Sequence, residues 1–238
     1  MMIKFINRTF LVTILLISVT GMNHAVGKGD ASAASHALYT ELNDMNQADL
    51  PSEEVFNIAF KGYKALKTEP GTLKKDIITV IDFSLPSTKK RLWIIDLNTK
   101  TVLFNDYVAH GRNSGDDMAV SFSNDSGSNM SSIGFYLTGE TYNGKHGLSL
   151  RLEGMEGEFN SNARNRAIVM HGADYVSADF IEKYGRLGRS LGCPSVSMDI
   201  HEQVINTIKE GTALFIYYPD PVFLKKSQLL HPETELQV

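Results

Sequence analysis

Apolar and polar residues change their spacing twice along this chain. Residues 10–19, FLVTILLISV, are almost continuously apolar. From 34 to 67 the spacing becomes helical. ASHALYTELNDMN (34–46) predicts one short helix, and SEEVFNIAFKGYKALK (52–67) a stronger one. In the second, Ser52 is placed to cap, Glu53 and Glu54 occupy the first turn, and Phe56, Ala59, Phe60, Tyr63 and Leu66 form one stripe. That stripe is a packing face for whatever follows. TEPGT (68–72) is a break.

Beyond the break the pattern is that of strands. ITVIDF (78–83), RLWIIDL (91–97), TVLFNDYV (101–108), IGFYLTG (133–139), LSLRLEG (148–154), RAIVMHG (166–172) and TALFIYY (212–218) are short and rich in β-branched and aromatic residues. Asn98-Thr99-Lys100 predicts a hairpin, and NDSGSNMSS (124–132) a turn-rich connection. One helix interrupts, MDIHEQVINTIKEG, capped by Ser197 and stopped at Gly211. The tail KKSQLLHPETELQV (225–238) reads as polar and loosely held. Many short strands with one or two helices predict a mainly β fold, an antiparallel β-sandwich or partly open barrel, preceded by a short helical segment.

The N-terminus adds a destination. Lys4 and Arg8 precede the apolar run, and small polar residues follow it, the layout of a secretory leader over 1–27 with cleavage near Ala25 or Ala33. The run is shorter than the about 20 residues of a spanning helix. No cysteine follows it, which excludes a lipoprotein anchor. Net charge is −4 without a basic block, which argues against nucleic acid as a partner.

Export sharpens the meaning of Cys193, the only cysteine in 238 residues. It cannot form an internal disulfide, so it is a buried small hydrophobe, an intermolecular linker or a reactive thiol. Its neighbours, RSLGCPSV (189–196), favour the thiol. Gly188 and Gly192 remove side chains beside it, Arg186 and Arg189 bring positive potential that favours a thiolate, and Pro194 bars a helix through it. A base must come from elsewhere. His171 ends an apolar run and opens the loop HGADYV, where a rigid scaffold meets a loop. Spacing alone favours a structural role for it.

HG at 171–172 followed by S-x-G-C at 190–193 resembles the signature of the L,D-transpeptidase catalytic domain, the YkuD-like family. The resemblance continues through RLWIIDLNTKTVLFNDYVAHG, SSIGFYLTGETYNGKHGLSLRLEGMEG and NARNRAIVMHGADYVS, covering roughly 75–218. It implies an L,D-transpeptidase-like β-sandwich at 75–218 with a helical extension at 34–70 before it. It also implies Cys193 as nucleophile, His171 as its proton partner, Gly172 as the carbonyl that orients the ring, and backbone N–H groups of Leu191, Gly192 and Cys193 as oxyanion donors. The substrate implied is a peptidoglycan stem peptide, in the periplasm or cell envelope, with release of D-alanine and transfer to an amine, without metal or other cofactor.

Two positions depart from the family pattern. Leu191 stands where a histidine is common, so only its backbone N–H carries over. Ser195 stands where arginine or asparagine is common, which leaves Arg189, Ser190 and Arg166 to hold substrate. An L,D-carboxypeptidase or link-cleaving hydrolase would use the same site, and a protein acceptor would fit the same chemistry. A non-catalytic wall-binding module would need none of it. His110 and His146 read as turn histidines, Tyr175 and Trp93 as packing, and the GSNMSS stretch as a connection or a flap. Asp116-Asp117 lacks the companions of a metal site.

Overall fold

The computed structural model describes residues 28–46 and 49–232. The leader expected over 1–27 lies outside them. Two helices come first, α1 (Lys28–Met45) and α2 (Glu53–Thr68). Ser52 Oγ accepts the Val55 N–H, the cap its position predicts. Val55, Phe56, Ala59, Tyr63 and Leu66 of α2 are buried in the same core as the sheet, while Phe60 is half-buried between Phe56 and Tyr63. Burying each large side chain contributes about 1.5–3 kcal/mol, so α2 is held by the sheet rather than by its own propensity.

Eight strands follow: β1 (Ile77–Asp82), β2 (Leu92–Asp96), β3 (Thr101–Asp106), β4 (Gly134–Gly144), β5 (Gly147–Gly154), β6 (Val169–Gly172), β7 (Ser195–Val196) and β8 (Ala213–Tyr217). They form one sheet in the order β3-β2-β1-β8-β4-β5-β6-β7. The β1–β8 and β6–β7 pairs are parallel and the others antiparallel. The fold is thus mainly β, as expected, a single curled sheet of the partly open barrel kind, with pairing that is mixed rather than wholly antiparallel. The curl is nearly closed: just past β3, Ala109 bridges Ser195 of β7 and Gly111 bridges Ser190, joining the two ends of the sheet.

The helices fill in around it. Besides the short turn α3 (Gly157–Asn160), α4 (Ala178–Tyr184) and α5 (His201–Ile208) flank β6 and β7 in the chain. The helix expected from Ser197 starts later, because Ser197 closes a preceding turn by accepting the Ile200 and His201 N–H groups. α6 (Pro221–Lys226) corrects the reading of the tail. Asp220 caps it, Pro221 occupies its first turn, and Phe223, Ser227 and Leu230 are buried, so the segment through residue 232 is docked. Among the described residues no helix is long and apolar enough to cross a membrane.

Candidate active site

β6 and β7 build the site. Their parallel register sets His171 opposite Ser195 and Gly172 opposite Val196. Cys193 lies two positions upstream of Ser195 on the turn that enters β7. The chain there cannot continue straight, since Gly192 has φ of +125°. A Cβ on Gly192 would lie 2.7 Å from the Met130 carbonyl oxygen and 2.9 Å from Ile168 Cδ1. Only glycine fits both the backbone angle and the space.

The turn is braced from within. Ser190 Oγ accepts the Gly192 N–H at 3.0 Å and donates to the Cys193 carbonyl at 2.7 Å. Ser131 Oγ donates to the Gly192 carbonyl and accepts the Gly111 N–H. The Leu191 and Cys193 N–H groups keep no protein partner among the described residues. Of the three N–H groups expected as oxyanion donors, those of Leu191 and Cys193 are therefore open, whereas that of Gly192 is engaged by Ser190.

Cys193 and His171 line one cleft of about 410 Å³, with Tyr142, His146, Tyr175 and Arg189 among its walls. The Val169 N–H points at Cys193 Sγ (3.5 Å), and the thiol in turn points at the Ala167 carbonyl (3.7 Å). Ala167 itself carries φ of +54°, a left-handed conformation unusual for alanine, directly beneath the sulfur. His171 Nδ1 lies 2.8 Å from the Gly172 carbonyl, which can only accept, so Nδ1 holds the proton and Nε2 holds the lone pair. Gly172 is thus the residue whose carbonyl lies at the ring, the position the resemblance implies for an orienting carbonyl. Its bare Cα matters too, for a Cβ would meet His201 Cγ and Met198 Sδ at 2.7 Å.

Burial pushes the Cys193 thiol up, against smaller downward pulls from the Val169 N–H and Arg166. Burial likewise pushes the His171 imidazolium down, opposed by the Gly172 carbonyl and helped by His146 and His201. The resting pair is thus a neutral thiol and a neutral imidazole. The expected thiolate-favouring field from Arg186 and Arg189 is corrected: both are turned to Asp116, at 3.9 and 2.6 Å, and the cation acting on the thiol is Arg166.

Arg166 is not free to anchor a substrate, as the sequence suggested. Its guanidinium donates to Ser123 O, Ser132 Oγ, Ser128 Oγ and Met130 O, tying the serine-rich loop behind the cysteine turn. That loop is a brace rather than a flap. Ser190, also assigned to substrate, spends its hydroxyl inside the turn. Arg189 differs: it lines the cleft, and its Nη1 bonds Asp116, Gly115 and Arg112 O, while its Nε and Nη2 have no protein partner among the described residues.

Several other residues take their places. His110 is buried against Arg91, with Nδ1 2.8 Å from the guanidinium; burial first, then Arg91, lowers it to about 4. Asp117 accepts from Ser87 and Thr88, and no cluster of metal-ligating side chains exists among the described residues. Trp93 is core, its Nε1–H donated to Asp49 O. Three participants went unread. His146, at the β4–β5 turn, stacks on His171 with ring centroids 4.4 Å apart. Ser195 Oγ lies 3.0 Å from His171 Nε2, and Tyr175 OH 3.1 Å from Ser195 Oγ. The repeated HG dipeptide at 146–147 was the one hint of the first; only strand register reveals the others.

A cysteine and an oriented imidazole thus share one cleft at the seam of a curled, mainly β sheet, with backbone N–H groups beside the sulfur. The family model for the L,D-transpeptidase catalytic domain matches residues 47–217, well over half of the chain, and the chain belongs to that family. The match takes in α2, upstream of the boundary suggested at 75. No curated protein sequence matches. Solved structures similar to it include an L,D-transpeptidase from Mycobacterium smegmatis, 11% identical with a TM-score of 0.38, covering 60% of this chain and 59% of that one. Another is an L,D-transpeptidase from Stackebrandtia nassauensis, 11% identical with a TM-score of 0.37, covering 79% and 92%. A third, L,D-transpeptidase 1 of Mycobacterium tuberculosis, is 14% identical with a TM-score of 0.34, covering 60% and 62%. The chain spans about three fifths of the length of the mycobacterial structures.

Proposed function

We propose that this protein is an exported L,D-transpeptidase that uses Cys193 to transfer an acyl group between peptidoglycan stem peptides. The observation that carries the reading is the shared cleft: a lone thiol and an imidazole whose tautomer is fixed by Gly172, so that Nε2 is the proton acceptor. In this reading the sulfur attacks the carbonyl after the L-centre of a stem tetrapeptide, and the thiol proton passes to His171 Nε2. The Leu191 and Cys193 N–H groups hold the oxyanion. The imidazolium returns the proton to the departing D-alanine amine, leaving a thioester on Cys193. An amine from a second stem then attacks, gives its proton to His171, and the thiol is restored when the carbonyl re-forms. Arg189 supplies donors for a substrate carboxylate. Dividing one amide exchange into two steps lowers the barrier of each.

The test is product mass after incubation with a defined stem tetrapeptide. A cross-linked dimer plus free D-alanine, lost in Cys193→Ser and reduced at least a hundredfold in His171→Ala, is expected. A shortened monomer alone would make the enzyme a carboxypeptidase on the same site. Unchanged activity in Cys193→Ser would overturn the assignment.

A further inference from the structure

We infer that Ser195 and Tyr175 form a reversible hydroxyl pair that positions His171 and carries its change of charge, the work that a carboxylate performs in other nucleophile–histidine sites. The inference rests on the reading of His171 as the proton acceptor.

Both ring nitrogens of His171 have one partner each. Nδ1 faces the Gly172 carbonyl, and Nε2 faces Ser195 Oγ at 3.0 Å. With the proton on Nδ1, Nε2 must accept, so Ser195 donates to it. Ser195 Oγ then accepts from Tyr175 OH at 3.1 Å. Ser195 is fully buried and strand pairing fixes it directly across from His171, so this contact is built by the backbone rather than by a mobile side chain. The groups facing His171 from the surrounding elements are His146 on the β4–β5 turn, His201 on α5, and Cys193 and Tyr175 beside the cleft; Asp174 and Lys145 line the adjoining hollow. No carboxylate among the described residues bonds to the ring.

Carboxylates accept only, whereas hydroxyls both donate and accept. The Nε2 lone pair takes the thiol proton once the Ser195 O–H has turned from it to the Tyr175 oxygen and the Tyr175 O–H has turned into the cleft. The new Nε2–H then donates to Ser195 Oγ. No hydroxyl bond breaks and no proton leaves the chain; the hydrogen bonds simply reverse direction. The neutral and charged forms are both bonded, and the charged form gains more, because a hydrogen bond from an imidazolium is roughly twice as strong as one between neutral groups. His171 therefore keeps more basicity than its buried setting alone would leave it.

The experiment uses the full mature chain and two readouts that need no peptide substrate. Cys193 is the only cysteine, so iodoacetamide alkylation followed by mass reports this thiol alone. Nitrogen-15 NMR of the histidine ring gives the tautomer and titration of His171. Ser195→Ala should lower the His171 titration by about half to one pH unit and slow alkylation at neutral pH roughly three- to tenfold. Tyr175→Phe, which leaves Ser195 in place and removes the oxygen that Ser195 donates to, should shift it the same way by less. A titration that superimposes on the wild type in both variants, or that rises, overturns the inference. Should Ser195→Ala fail to fold, Tyr175→Phe alone decides. If these titrations move as expected but no stem peptide reacts, the positioning role stands and the proposed substrate falls. If peptide transfer proceeds while the titrations stay fixed, the converse holds.

Discussion

Arg166→Met removes a guanidinium that makes four hydrogen bonds, at 2.6, 2.6, 3.1 and 2.6 Å, to Ser123 O, Ser132 Oγ, Ser128 Oγ and Met130 O. Ser132 Oγ continues to donate to Ser123 O at 2.9 Å, so that carbonyl stays satisfied. The Met130 carbonyl does not, and it abuts Gly192 on the cysteine turn. Charged hydrogen bonds contribute about 1.5–3 kcal/mol each when buried; discounting for water access at this half-buried site leaves a net loss of about 3 kcal/mol. Arg166→Lys keeps the charge and reaches only one side of the fork, so about half that loss is expected. Urea unfolding followed by tryptophan fluorescence should show the Met variant's midpoint lower by about 1 M, taking an m-value of about 3 kcal/mol/M. The two variants separate geometry from charge. Because Arg166 pulls the Cys193 thiol down, the Met variant should also move the alkylation profile to higher pH, whereas the Lys variant should not. A substrate anchor would behave differently, raising KM with little effect on unfolding. If Arg166→Met unfolds within about 0.5 kcal/mol of the wild type and its thiol titrates unchanged, the brace argument is refuted.

Three further expectations follow from single contacts. Gly192→Ala forces a left-handed backbone onto a side chain that meets Met130 O; alkylation of Cys193 should slow at least tenfold and stability fall by about 1–3 kcal/mol in urea. His146→Ala uncovers His171 and removes a like charge, both of which have held its imidazolium down, so ring NMR should show the His171 titration rising toward about 6.5. Glu156 is buried against Ser227 and its carboxyl is pushed up to about 7, mainly by burial. Its protonated form is the one the fold prefers, so its contribution is complete below about pH 4.5 and is lost as pH rises through about 7. By linkage that loss reaches about 3 kcal/mol, and Glu156→Gln should flatten the decline in thermal midpoint across this window. An identical slope in the variant would refute it.

The strands were legible because β-branched and aromatic runs such as ITVIDF and TALFIYY have few other stable uses, and these two lie within one residue of β1 and β8, whereas β4 runs five residues past IGFYLTG and β6 starts three residues into RAIVMHG. β7 was not, since two residues, Ser195 and Val196, carry no periodicity. Cys193 and His171 stood out by residue type and neighbours, and the structure sets both on one cleft. Sequence shows charge but not to what it is committed. Arg166 and Arg189 looked interchangeable, and both line the cleft, yet one spends its guanidinium on a loop and the other keeps donors free. The same limit hid Ser195, whose importance comes from a strand register, and His146, whose partner is a ring on another strand. The tail was misread for a different reason: its composition is polar, but Asp220-Pro221 is a helix-start signal and Leu229-Leu230 an apolar pair, and these decided the outcome.

The closure of the sheet also bears on when the thiol acquires its neighbours. Its central ladder joins Ile78 to Ala213, more than half the chain apart, and its seam joins Ala109 to Ser195. Such pairings are entropically slow to form, and the central one waits for β8, the last strand in the chain. A nascent or incompletely collapsed chain therefore lacks the cleft around Cys193. Ser195 meets His171 only when β6 and β7 pair, so the surroundings of the thiol are assembled by folding rather than carried by the local sequence.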